Sequence, residues 1–186
     1  MRVIAGVAKG RTLKAPFGSS VLRPTSDKVR EAIFDIIGPG IEDSGFLDLF
    51  CGTGAVGLEA LSRGARNVVF VDNKSSSIDL VKGNLLKCGF EKNYEIVQCD
   101  ALQAIRTLSN RQRRFDYIFL DPPYGSDLII KSIEAISIGN LLLPTASVVV
   151  EHSVKKPVPE KIFDLFCYKE YKFGDTIINL YNCIEA

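Results

Sequence analysis

The chain carries a single histidine, His152, and five cysteines, Cys51, Cys88, Cys99, Cys167 and Cys183. The cysteines are odd in number and lack close paired spacing, which argues against a disulfide framework and against a zinc site. They read as reduced and mostly buried thiols. With no metal partner suggested for it, His152 reads as a structural residue, and no metal is expected. No apolar run approaches the ~20 residues needed to cross a bilayer, and the start lacks a signal-peptide pattern; a cytoplasmic protein without membrane attachment is expected. Internal repeats, low-complexity tracts and long linkers are also missing. What is present is ordinary for a soluble globular protein: 186 residues, 46% hydrophobic and 24% charged. That length suits one domain with a substantial core and a small extension.

The net charge of +1 conceals an asymmetry. Residues 1–30 hold seven basic residues, Arg2, Lys9, Arg11, Lys14, Arg23, Lys28 and Arg30, against Asp27 alone; the remainder holds sixteen basic and twenty-one acidic residues. A basic arm on a mildly acidic body suits a polyanion held at one end, although on charge alone a solvated basic face is the favoured reading.

Residues 1–16 read as a hairpin, with short strands at 2–5 and 11–13 around Ala8-Lys9-Gly10, followed by a loop at 17–22. Thr25 or Ser26 is a suitable N-cap for a helix reaching about Gly38, with Val29, Ile33, Ile36 and Ile37 on its apolar stripe. Residues 1–24 are thus expected to form a basic arm and 25–186 the body. In the body, strand-like runs at 46–50, 67–71, 94–99, 115–120 and 146–151 alternate with helical stretches near 55–63, 75–88, 101–109 and 127–139. Such alternation predicts right-handed crossovers and a parallel sheet covered on both faces. A short helical turn is expected around 159–163. Two last strands, 165–171 and 176–183, are joined tightly enough to pair antiparallel.

Two stretches carry chemistry. Strand 46–50 runs into Cys51-Gly52-Thr53-Gly54-Ala55-Val56-Gly57, a glycine-rich turn that opens a helix; Gly52 and Gly54 allow close approach to a ligand, and Gly57 tight helix–strand packing. Asp72 follows Gly52 by twenty residues, at the end of the next strand, where a carboxylate can bind ribose hydroxyls. Asp100 and Asp121 end the third and fourth strands, so four strands finish in Gly- or Asp-bearing loops at the carboxyl edge. The second stretch is Asp121-Pro122-Pro123-Tyr124. The two prolines fix φ near −65° and supply no N–H, which stops the strand and leaves a carboxylate, bare carbonyls and an aromatic ring at a stiff corner. An amino-bearing base could donate its two N–H groups to Asp121 and the Pro122 carbonyl while stacking on Tyr124; a proline-rich turn with a capping Asp is the plainer reading of the same four residues.

Taken with Leu47-Asp48-Leu49-Phe50, Val71-Asp72 and Cys99-Asp100-Ala101, these stretches resemble the Rossmann-like S-adenosylmethionine-dependent methyltransferases. More narrowly, residues 6–13, Arg23-Pro24-Thr25-Ser26-Asp27-Lys28-Val29-Arg30-Glu31-Ala32-Ile33-Phe34 and Gly57-Leu58-Glu59-Ala60-Leu61-Ser62-Arg63-Gly64-Ala65 are similar to the bacterial RsmD family, whose members methylate the exocyclic amine of a guanine in small-subunit ribosomal RNA. The resemblance implies a mostly parallel seven-stranded sheet with an antiparallel C-terminal strand, helices on both faces and a small N-terminal β-hairpin. It implies S-adenosylmethionine as cofactor, held by Asp48, Phe50, Gly52, Thr53, Gly54, Asp72, Asn73, Asp100 and Ala101. Phe50 stands where many methyltransferases have Gly. Asp121, Pro122 and Tyr124 become the catalytic residues. Pro123, Lys9, Arg11, Lys14, Arg23, Thr25 and Arg30 become substrate-binding residues toward small-subunit RNA or a partly assembled 30S subunit, with the protein a monomer. Arg111-Gln112-Arg113-Arg114, a second basic cluster, reads as a solvated turn. A DNA adenine-amine methyltransferase, a nicotinamide-dependent oxidoreductase and an inactive RNA-binding assembly factor are the alternative readings.

Overall fold

A computed structural model describes residues 1–15, 25–123 and 127–183, in two compact units, Met1–Cys99 and Asp100–Ala186. The loop expected at 17–22, Arg23 and Tyr124 lie outside the described residues.

The first unit contains α1 (Asp27–Ile37), β1 (Gly45–Asp48), α2 (Ala55–Ser62), β2 (Asn67–Asp72), α3 (Ser75–Cys88) and β3 (Tyr94–Gln98). Its strands run in the order β3-β2-β1, all parallel, with Phe46 opposite Val68 and Phe70 opposite Ile96. Parallel pairing places the ends of β1 and β2, Asp48 and Asp72, on one edge. Of the two expected caps, Ser26 rather than Thr25 caps α1, accepting the Val29 N–H at 3.2 Å. The buried stripe of α1 is rotated from the expected one: Val29, Arg30, Ile33 and Phe34 face inward.

The expected N-terminal hairpin strands do not form. Arg2 and Thr12 make one isolated antiparallel bridge, flanked by backbone bonds from Val3 N–H to the Arg11 carbonyl (3.0 Å) and from Leu13 N–H to the Met1 carbonyl (3.1 Å), and the pairing goes no further because the donors beyond it are taken from outside the segment. Ile4 and Ala5 donate to the two Glu59 carboxylate oxygens (2.8 and 2.9 Å), Ala8 donates to Ser62 Oγ (3.0 Å), and Val3, Ala8 and Leu13 are buried. The segment therefore packs as an irregular strap on α2. Arg30, expected among the RNA-binding residues, has no exposed side-chain surface: its guanidinium holds the Arg2 carbonyl and pairs with Asp27 (3.1 Å) and Glu59 (3.6 Å). A cation so enclosed cannot reach a phosphate, and its work is to pin the strap.

The second unit contains α4 (Ala101–Asn110), β4 (Phe115–Leu120), α5 (Leu128–Ile138), β5 (Leu142–Ser153), β6 (Lys161–Ile162), β7 (Leu165–Phe173) and β8 (Thr176–Cys183). Its order is β4-β5-β8-β7-β6. β4 and β5 are parallel, while β8 returns antiparallel to both β5 and β7, as the tight 173–176 connection requires. The short helical turn expected near 159–163 is instead β6, which pairs with β7 through Lys161–Phe166 and Ile162–Leu165. The described strands consequently number eight rather than seven. The fold is α/β with mixed strand pairing.

Candidate functional site

Three chain segments of the first unit meet at the carboxyl ends of β1 and β2. Leaving β1, the chain turns through Cys51–Gly54 and enters α2 with Gly54 at φ +76°, a left-handed conformation that favours glycine. Three residues on, a Cβ on Gly57 would stand 2.3 Å from the Phe70 ring, so only glycine lets α2 lie this close to β2. Asp72, at the end of β2, accepts the Gly52 N–H through Oδ2 (3.0 Å) and the Lys74 N–H through Oδ1 (2.9 Å). Asp48, at the end of β1, accepts the Gly57 N–H through Oδ2 (3.0 Å), a contact with the first turn of α2 that its N-terminal dipole favours. Its Oδ1 is buried with no hydrogen-bond partner. Thr53 is buried and its carbonyl accepts from Asn84 Nδ2 (3.0 Å); Phe50 is half-buried and Asn73 exposed.

Burial pushes Asp48 up to about 7, the Gly57 hydrogen bond opposes that rise, and the charge of Asp72 adds to it. Unfolded, the same carboxyl ionises near 3.8. Between those two values the folded state binds one more proton than the unfolded state. Stability therefore falls as pH rises from about 4 to about 7, with a slope of at most about 1.4 kcal/mol per pH unit from this group. Asp48→Asn is expected to flatten that part of the curve in denaturant titrations between pH 4 and 8. An unchanged slope would contradict the assignment. Burial and the same two carboxylates also push the Cys51 thiol well up, which makes it a poor nucleophile.

In the second unit Asp100 caps α4, its Oδ1 accepting from Leu102 (2.9 Å) and Gln103 (3.4 Å), with Ala101 buried behind it. β4 ends at Leu120, which stands opposite Val150, whereas β5 runs on to Ser153 beside β8. Asp121-Pro122 therefore leave the sheet alongside Glu151-His152. Asp121 is half-buried, Pro122 buried and Pro123 exposed. Both prolines line a cavity of about 140 Å³.

A sequence profile of the family described as Conserved hypothetical protein 95 matches residues 1–182. The chain belongs to that family. These are the RsmD-like S-adenosylmethionine-dependent methyltransferases. The putative rRNA methyltransferase YlbH of Bacillus subtilis (strain 168) is 39% identical over 181 residues, covering 97% of this chain and 98% of that one. Ribosomal RNA small subunit methyltransferase D of Haemophilus influenzae is 38% identical over 160 residues, covering 85% and 81%. Among solved structures, a putative methyltransferase, yhhF, from Escherichia coli superposes with a TM-score of 0.84 at 30% identity, over 98% of this chain and 97% of that one.

The RsmD-like turn fits a cationic ligand. Asp48 Oδ1 is an orphaned buried acceptor, and a positive group beside it would favour the charged carboxylate that burial disfavours. Sequence reasoning missed the residues that hold this family member's N-terminal strap, Glu59, Ser62 and Asn84. Their signal was present: each is a polar residue at a helix position that is otherwise apolar, and Asn84 falls on the buried stripe of Ile78, Val81, Leu85 and Cys88. Also missed was the wall formed by the end of β5 behind the proline corner.

Proposed function

We propose that the protein transfers a methyl group from S-adenosylmethionine to the exocyclic amine of a guanine in small-subunit ribosomal RNA. The observation that carries this reading is the likeness, over 85% of the chain, to a ribosomal RNA small subunit methyltransferase. The Asp121-Pro122-Pro123 corner supplies groups suited to an amine. The substrate is the RNA itself or a partly assembled 30S subunit, and the protein works as a cytoplasmic monomer.

Asp48, Gly52, Thr53, Gly54, Asp72 and Asn73 are assigned to the cofactor, together with Phe50. Asp100 and Ala101 are assigned to its adenine. The cofactor supplies an electrophilic sulfonium-bound methyl group. In the second unit, Asp121 and the Pro122 carbonyl accept the two N–H groups of the target amine. That draws the nitrogen lone pair out of conjugation with the ring and stabilises the positive charge that grows on it. Asp121 or water then takes the released proton. Tyr124 is assigned the stacking role, worth ~1–3 kcal/mol, which helps offset the few kcal/mol needed to unstack the base. Labelled-methyl assays with small-subunit RNA, partly assembled subunits and DNA test the reading. N2-methylguanine in the RNA is the expected product; label in DNA adenine, or in no nucleic acid, would overturn it.

RNA contacts are assigned to Lys9, Arg11, Lys14, Arg23 and Thr25. Lys9, Arg11 and Lys14 are exposed on the strap, while Val3, Ala8 and Leu13 anchor it; Thr25 is buried. Arg111–Arg114 occupies the turn before β4, at ~3.3 Å per residue roughly 20 Å from the Asp121 end of that strand. Charge reversal at Lys9, Arg11 and Lys14 is therefore expected to weaken RNA binding tenfold or more and to reduce its salt dependence. Reversal at Arg111, Arg113 and Arg114 should change affinity less than threefold. Equal losses in filter-binding titrations would refute the division.

A further inference from the structure

We propose that the cavity behind the proline corner receives the edge of the target base, and that His152 reads the N1–H of guanine there. The proposal rests on the corner's assignment as the holder of the amine. The cavity, about 140 Å³, is lined by the apolar Pro122, Ile129 and Ile130, by the charged Asp127 and Lys156, and by Glu151 and His152 of β5. The β4–β5 register ends with Leu120 opposite Val150, so Asp121-Pro122 leave β4 where β5 continues into Glu151-His152. Pro122 and His152 line the same cavity, which brings an acceptor on His152 to the space that borders the corner assigned to the amine.

His152 is only 4% exposed. Its Nδ1 lies 3.1 Å from the Lys156 carbonyl oxygen and 3.2 Å from that of Ser153. Carbonyl oxygens only accept, so Nδ1 carries the proton and Nε2 of the neutral ring keeps a bare lone pair. Nε2 has no hydrogen-bond partner. A histidine that merely tied down the 153–156 turn would use Nδ1, and the uncompensated burial of Nε2 would be all loss. A ligand N–H removes that loss. Nε2 has no open surface, so the incoming base must open the wall around it.

The chemistry of the bases makes the contact selective. In guanine the exocyclic amine is flanked by N1–H, a donor. In adenine the ring nitrogen beside the amine is an acceptor, and its lone pair would face that of Nε2. An acceptor next to the amine-holding corner therefore admits guanine and rejects adenine.

The test is a thermodynamic cycle between His152 and the N1 proton. Once the labelled guanine is mapped, small-subunit particles are reconstituted with RNA carrying either guanine or 2-aminopurine at that position. The second base keeps the amine but has no N1–H. Wild-type protein should prefer guanine at least tenfold in kcat/KM, and equal rates within threefold would overturn the proposal without any variant. His152→Asn keeps an amide N–H near the position of Nδ1 and removes the acceptor. It should lose at least tenfold of the guanine preference, with the 2-aminopurine rate within threefold of wild type. His152→Gln, which puts an amide oxygen near the position of Nε2, should restore part of the preference. A His152→Asn variant that slows both substrates equally shows a structural role and overturns the proposal. Failure of the wild-type protein to label guanine at all removes the amine-holding assignment as well, so the two failures are distinct.

Discussion

Asp121→Ala is expected to lower methyl transfer by on the order of 10³-fold while leaving S-adenosylmethionine affinity within a few fold. The size follows from the assigned role. An amine conjugated with a purine ring is a weak nucleophile, and its charge rises sharply as the new bond forms. A carboxylate fixed against the amine favours that rise and costs no reorganisation at the moment of reaction. Removing one such preorganised partner typically costs 10²–10³ in kcat, and Asp121 also offers a site for the departing proton. Its position is fixed by the chain itself, since Pro122 and Pro123 restrict their own φ and hold the residues before them extended. Asp121→Asn keeps an acceptor oxygen and the shape but not the charge, and should fall between wild type and alanine. Single-turnover transfer of labelled methyl gives the chemical step, and calorimetric titration gives cofactor affinity. Losses confined to kcat identify an interaction made in the transition state. Turnover surviving in the alanine variant would end the assignment.

The parts legible in the sequence were those written as short-range pattern. Strand-to-helix alternation marked four strands and four helices close to their observed bounds and the middle of the longer β5, and Ser26 was one of two adjacent residues readable as the α1 cap. Gly57 was readable as a packing glycine because its neighbour across the βα unit is a strand. Long-range hydrogen bonding was not legible. The backbone of residues 2–13 has the alternation of a hairpin, yet its donors at Ile4 and Ala5 are taken by Glu59, some 55 residues away. Arg30 shows the same limit: a cation in a basic N-terminal run reads as a phosphate ligand until a buried carboxylate is found beside it. Around 159–163 a short helical turn was expected, and pairing with β7 decided otherwise. His152 failed differently. Its tie to the 153–156 turn fits the expected structural histidine, but only coordinates reveal that one ring nitrogen is left over.

Glu59→Ala is expected to destabilise the protein by about 3–5 kcal/mol, because it strips the buried carboxylate partner from a buried cation, which keeps only the half-exposed Asp27 and the Arg2 carbonyl, and orphans two backbone donors. Glu59 has no exposed side-chain surface and serves four groups: the N–H of Ile4 and Ala5, Arg63 Nε at 2.9 Å and Arg30 Nε at 3.6 Å. Alanine would leave the Arg30 guanidinium enclosed and two backbone donors without acceptors, losses that water can relieve only by prising the strap off α2. The denaturation midpoint should fall accordingly. The N-terminal segment should become a site of early proteolysis, and RNA affinity should drop because Lys9, Arg11 and Lys14 are no longer held in place. Glu59→Gln retains one oxygen acceptor and most of the volume, so it should cost less. Arg30→Ala and Glu59→Ala act on one network, and the double variant should lie close to the worse single rather than at their sum. Additive losses would mean that the two residues stabilise the unit independently. Glu59 stands on α2 two residues beyond Gly57, whose N–H binds Asp48. The helix that carries the strap's latch thus also donates a hydrogen bond to Asp48, one of the residues assigned to the cofactor, and loosening the strap should lower cofactor affinity even though Glu59 is not so assigned.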